Sequence, residues 1–113
     1  MTALSIALRI AKHFEGCAKK LPDGRVSAYW DADGKVWTIG WGATGAGIAS
    51  NTVWTQKQCD DWIEARMAKD LAKIQAAIPN LEPHELGACT CLAYNIGMGA
   101  FLGSTLVKRL LAG

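Results

Sequence analysis

Glu15 has the placing that chemistry most often uses. It closes a run with helical periodicity and is followed at once by Gly16, so its carboxyl meets the negative end of a helix dipole. That position disfavours the ionised form, and partial burial beside Phe14 would push the same way. A carboxylic acid kept protonated near neutral pH can serve as a general acid. Further on, Asp31 and Asp33 flank a turn in Tyr29-Trp30-Asp31-Ala32-Asp33-Gly34, and Thr38 follows in Trp37-Thr38-Ile39-Gly40-Trp41-Gly42. A protonated acid and a second carboxylate form the pair used to cleave glycosidic bonds. Singly, each residue has an ordinary explanation. Glu is common at exposed helix ends, Asp bonds backbone in turns, and Thr suits strands. Their conjunction is what points to a site.

The elements that must position these residues are legible in outline. Thr2 is an N-cap for a first helix reaching Glu15, with Leu4, Ala7, Leu8, Ala11 and Phe14 on one stripe. Gly16 fits the position that ends such a helix. Pro22-Asp23-Gly24 and Ala32-Asp33-Gly34 are turn signals, and residues 25–30 and 35–39 read as short strands of a hairpin. Thr55 and Gln58 form a capping box that opens a helix over residues 55–78. Its buried stripe is Ile63, Met67, Leu71, Ile74 and Ile78, and Asp60 and Asp61 suit its positive N-terminal end. A further helix begins near Pro83 and ends around Asn95-Ile96-Gly97, and Ser104 caps a last one over residues 105–111.

Composition narrows the class. The chain has 113 residues, half of them hydrophobic, enough for one domain with a modest core. Its net charge of +2 lacks the dense basic stripe of a nucleic-acid binder. Five tryptophans are an excess that favours a saccharide partner, because indole rings stack on sugar faces. The glycines after Ile39 are not followed by the helix that a phosphate loop requires. Cys17, Cys59, Cys89 and Cys91 lack zinc-site grouping and read as buried thiols. The N-terminus has neither an apolar run of membrane length nor a cleavage site, so the chain is expected to be made in the cytoplasm without an export signal of its own.

The order helix-Glu15-Gly16, then Ala28-Tyr29-Trp30-Asp31-Ala32-Asp33-Gly34, then Trp37-Thr38-Ile39-Gly40-Trp41-Gly42-Ala43-Thr44-Gly45 resembles the catalytic lobe of phage-type lysozymes, the endolysins of glycoside hydrolase family 24. Thr52-Val53-Trp54-Thr55-Gln56 is similar to the start of that family's linking helix. Residues 92–101, followed by Ser104-Thr105-Leu106, are similar to its helical-lobe signature. The resemblance implies an α+β, mostly α-helical lysozyme-like fold. Residues 1–54 would form the catalytic lobe, 55–78 the linking helix and 79–113 an abbreviated helical lobe, with a glycan strand of peptidoglycan in the cleft. It implies that Glu15 protonates the leaving oxygen while Asp31 and Thr38 hold the attacking water, and that Tyr29, Trp41 and Asn95 contact substrate. Hydrolysis of the β-1,4 bond between N-acetylmuramic acid and N-acetylglucosamine would follow, without metal or organic cofactor. A holin would give access to the wall.

The chain also departs from the family. The gap from Glu15 to Asp31 is lengthened by Leu21-Pro22-Asp23-Gly24, and one extra residue separates Asp31 from Thr38, which leaves Asp33 as a rival water-holder. Ala43 stands where many relatives have His, which excludes a histidine role there. Relatives continue beyond the segment matching residues 104–111, so Leu106, Val107, Leu110 and Leu111 are expected to form an apolar face. A second copy of the chain would cover it, or it would fold back on the preceding helix. Two other activities fit the same motifs: a lytic transglycosylase, and a wall-binding remnant without catalysis.

Overall fold

The computed structural model describes residues 2–112, apart from the side chains of Phe14 and Glu15. Helix α1 (Ala3–Glu15) begins where a side chain can cap it. The Ser5 N–H donates to Thr2 Oγ1 at 3.0 Å, and the Ile6 N–H closes the first turn on Thr2 O at 3.1 Å. Gly16, at φ +66°, ends it in the left-handed conformation that glycine adopts without strain. Four short strands follow: β1 (Val26–Ser27), β2 (Tyr29–Asp31), β3 (Val36–Thr38) and β4 (Val53–Trp54). Helix α2 (Gln56–Ala77) opens on the expected capping box. The Gln58 N–H donates to Thr55 Oγ1 at 3.1 Å, and the Thr55 N–H to Gln58 Oε1 at 2.7 Å. Helices α3 (Pro83–Ile96), α4 (Met98–Leu102) and α5 (Thr105–Ala112) complete the chain. No helix among the described residues is long and apolar enough to cross a membrane.

The chain forms two compact units, Met1–Ala11 with Ala65–Gly113, and Lys12–Glu64. In the first, Ile74 and Ile78, Leu86 and Ala93 of α3, Phe101 of α4 and Val107 of α5 share one buried core. Phe101 is wholly buried, a contribution of about 1.5–3 kcal/mol from removing its ring from water. Helix α3 runs close against α1: a Cβ on Gly87 would come within 2.7 Å of Ile6 Cγ2 and 2.9 Å of Ala3 O. Buried Asp70 accepts from Arg66 Nε at 3.1 Å, and that guanidinium lies 5.2 Å from the centre of the Tyr94 ring. Ser104 caps α5 by accepting from the Val107 N–H at 3.3 Å.

The apolar face expected on α5 is halved. Val107 is buried and Leu110 packs on the core, one helical turn apart on the inward side, while Leu106 and Leu111 are 43% and 59% exposed. Helix α4 was not anticipated; five residues are too few for a helical period to show.

The second unit holds the strands. Two antiparallel pairs form where one hairpin was expected. β2 pairs with β3, and β1 pairs with β4. The stretch expected as one strand over residues 25–30 divides at Ala28, whose N–H donates to Thr52 O at 3.0 Å. Val26 and Ser27 are thereby matched with Trp54 and Val53, and Tyr29 onward is released to β3. Val26, Ala28, Ile39, Ala43 and Cys59 form the core of this unit, with Trp37, Trp41, Trp54 and Trp62 packed around it. Most of the tryptophan excess therefore serves packing. All four cysteines are thiols; Cys59, Cys89 and Cys91 are buried as expected, and Cys17 is half-buried.

Candidate active site

The β2–β3 ladder sets the faces of the hairpin. Tyr29 lies opposite Thr38, Trp30 opposite Trp37, and Asp31 opposite Val36. Side chains alternate along a strand, so Tyr29, Asp31, Val36 and Thr38 share one face. Trp30 and Trp37 take the other face, edge to face with ring centres 5.5 Å apart. Asp31 and Thr38 thus form a diagonal pair on one surface.

Their local bonding suits different roles. The Asp33 N–H donates to Asp31 Oδ1 at 3.1 Å, closing the turn. Of the two aspartates at this turn, the side chain that accepts the backbone bond is that of Asp31, two residues before the donor. The other Asp31 oxygen sits against Gly34, where a Cβ would come within 2.9 Å of Oδ2. Any side chain at position 34 would displace the carboxylate. Thr38 is buried, and its hydroxyl reaches Val36 O only at 3.4 Å. That is longer than a good O–H···O bond, so the hydroxyl gives up little to turn toward another acceptor.

Glu15 is the last residue of α1, in the same compact unit as the hairpin; its side chain lies outside the described residues. Trp41 sits in the loop after β3, half-buried against the core of that unit. Asn95 belongs to the other unit, exposed in the last turn of α3. Tyr29, Asp31 and Thr38 are therefore brought to one face, with Trp41 close behind in sequence.

One cluster went unread. Asp60, anticipated only as a helix-dipole partner, accepts from Trp41 Nε1 at 2.8 Å and from Gln56 Nε2 at 3.1 Å. Lys12 Nζ approaches the same oxygen at 3.7 Å and lies 5.5 Å from the centre of the Trp41 ring. Burial works to raise the Asp60 pKa, but the Trp41 and Gln56 hydrogen bonds and the Lys12 charge outweigh it and leave the carboxyl below its ordinary value. The signal was available in part: Lys12 stands three residues before Glu15, on the same helix.

Glu15 at the end of α1 falls in the same compact unit as a hairpin that carries an acid and a threonine on one face, as a lysozyme-like fold would require. The chain belongs to the phage lysozyme family, whose profile matches residues 12–113. It is 37% identical over 91 residues to a probable prophage lysozyme of Escherichia coli strain K12, covering 76% of this chain and 51% of that protein. Among solved structures it resembles an endolysin from the Escherichia coli O157:H7 phage FAHEc1, with a TM-score of 0.78 at 28% identity, covering 100% of this chain and 69% of the other. The muramidase domain of SpmX from Asticaccaulis excentricus shares the fold, with a TM-score of 0.74 at 21% identity over 92% of this chain and 65% of that one. The chain spans about half the length of the prophage lysozyme it matches.

Proposed function

We propose that this chain hydrolyses the β-1,4 bond between N-acetylmuramic acid and N-acetylglucosamine in peptidoglycan, as an endolysin does. The observation that carries the reading is the diagonal placement of Asp31 and Thr38 on one hairpin face. In this reading Glu15 donates its proton to the glycosidic oxygen as the bond to the anomeric carbon breaks. A water held by Asp31 and Thr38 attacks that carbon from the opposite side and passes a proton to the Asp31 carboxylate. Two carboxyls with a water between them correspond to inversion at the anomeric centre. Tyr29, Trp41 and Asn95 are assigned to the glycan.

Product analysis tests the chemistry. Hydrolysis leaves muramic acid ends that borohydride reduces, whereas a lytic transglycosylase leaves 1,6-anhydro ends that it does not. Anhydro products would overturn the hydrolytic reading. Binding to sacculi with no cleavage would make the chain a wall-binding module.

Access to the wall from the cytoplasm through a holin belongs to the same reading, and is tested by co-expression with and without a holin. Self-association would use the face that presents Leu106 and Leu111. Sedimentation across a wide concentration range tests it; a monomer throughout would overturn it.

A further inference from the structure

We infer that Asp60 is a positioning residue for glycan binding: its carboxylate fixes the Trp41 indole in the orientation that meets the sugar. The inference rests on the hydrolytic reading of the site and adds to it a residue on α2.

Trp41 is flanked by Gly40 at φ +63° and Gly42 at φ +106°. The turn they form is closed by two backbone bonds, Ile39 N–H to Ala43 O and Ala43 N–H to Ile39 O, each at 2.9 Å, so the backbone fixes where the ring stands but not how the indole turns about its own side-chain bonds. At Gly40 the backbone lies tight against α2, where a Cβ would come within 2.8 Å of Cys59 Sγ. The orientation of the indole comes from contacts of the ring, and the hydrogen bond from Nε1 to Asp60 at 2.8 Å is a directional one.

Asp60 is itself held. Gln56, one turn earlier on α2, donates to the same oxygen, and Gln56 also lies 3.7 Å from Cys17 Sγ. Lys12 adds its charge from α1 and approaches the indole ring. One carboxylate thus ties together the ring, the first turn of α2 and the last turn of α1, the helix that ends at Glu15. A platform ordered before substrate arrives avoids the entropic cost of ordering it on binding, which favours affinity over turnover.

The experiment compares Asp60→Ala, Asp60→Asn and Trp41→Phe on soluble, uncrosslinked glycan strands, with KM and kcat measured separately. The Asp60 side chain is 41% exposed and Ala favours a helix, so the fold should survive, and Trp41→Phe removes the N–H by an independent route. Asp60→Ala should raise KM about five- to tenfold with a smaller change in kcat, the scale of one charge-assisted hydrogen bond. Trp41→Phe should do the same, and the double variant should be no worse than either alone. Asp60→Asn keeps an oxygen acceptor for the indole and should restore KM to within about twofold. The inference is overturned alone if the wild type is active and Asp60→Ala leaves KM unchanged, if Asp60→Asn is as damaging as Asp60→Ala, or if the two single effects multiply. A wild type that leaves the strands intact overturns the hydrolytic reading, and the inference with it.

Discussion

Asp31 and Thr38 face the same side of one hairpin because Asp31 pairs with Val36 while Thr38 pairs with Tyr29. A register slip of one residue would send one of them to the face occupied by Trp30 and Trp37. The turn between them places Lys35 at φ +53°. The ladder beyond the turn is regular.

From that arrangement, Asp31→Asn should lower turnover on the order of a hundred- to ten-thousandfold, the usual cost of losing a general base. The fold should persist, since the amide oxygen still accepts from the Asp33 N–H. Asp33→Asn should be nearly silent, and Thr38→Ala should reduce rate while costing less than about 1 kcal/mol of stability, given its long hydroxyl contact. Turbidity loss of sacculi and thermal melts on each variant check this. A reversed order for the two aspartates would make Asp33 the water-holder.

The sequence revealed more of the helices than of the sheet. Thr2, Thr55 with Gln58, and Ser104 each carried a cap that the structure contains. The Ile63 to Ile78 stripe repeated often enough to mark a buried face. The pairing of Val26 with Trp54 could not be seen, because two-residue strands have no period and their partners lie far apart in sequence. The faces of Asp31 and Thr38 depended on register, which a turn of unfamiliar length leaves open. Asp60 was hidden for another reason: its dipole role at the start of α2 is a sufficient explanation until a tryptophan is found against it.

Phe101 closes the core of the helical unit from a five-residue helix. Phe101→Ala should therefore cost about 3–5 kcal/mol, through lost transfer energy and the cavity left behind. Urea melts will show it as a lower midpoint. A loss below about 1 kcal/mol would mean that the short helix collapses into the gap.

The thiols should separate in reactivity. Burial first, then the neighbouring Cys17, pushes the Cys59 thiol up to about 12, so almost none of it is thiolate at neutral pH. Timed alkylation of the native protein with iodoacetamide should label half-buried Cys17 first and Cys59 only after denaturation. Equal rates at the two positions would contradict the burial of Cys59.

Acid should weaken the Asp60 cluster. The folded carboxyl titrates below its ordinary 3.8, so the stability it contributes is present above that value and lost as pH falls through the folded pKa. The melting-temperature gap between wild type and Asp60→Asn should be open at pH 7 and should close below about pH 4. A gap that widened in acid would mean the carboxyl is destabilised in the folded state.

Whether Glu15 is the general acid of a peptidoglycan hydrolase is tested most directly by clearing of purified sacculi by the wild type and by Glu15→Gln. The amide is isosteric and cannot donate the proton that the leaving oxygen needs. The wild type should clear the sacculi, Glu15→Gln should lose about a hundred- to ten-thousandfold, and the two melting temperatures should be closely similar. Substantial clearing by folded Glu15→Gln would place the acid elsewhere, and no clearing by the wild type would contradict the hydrolase itself.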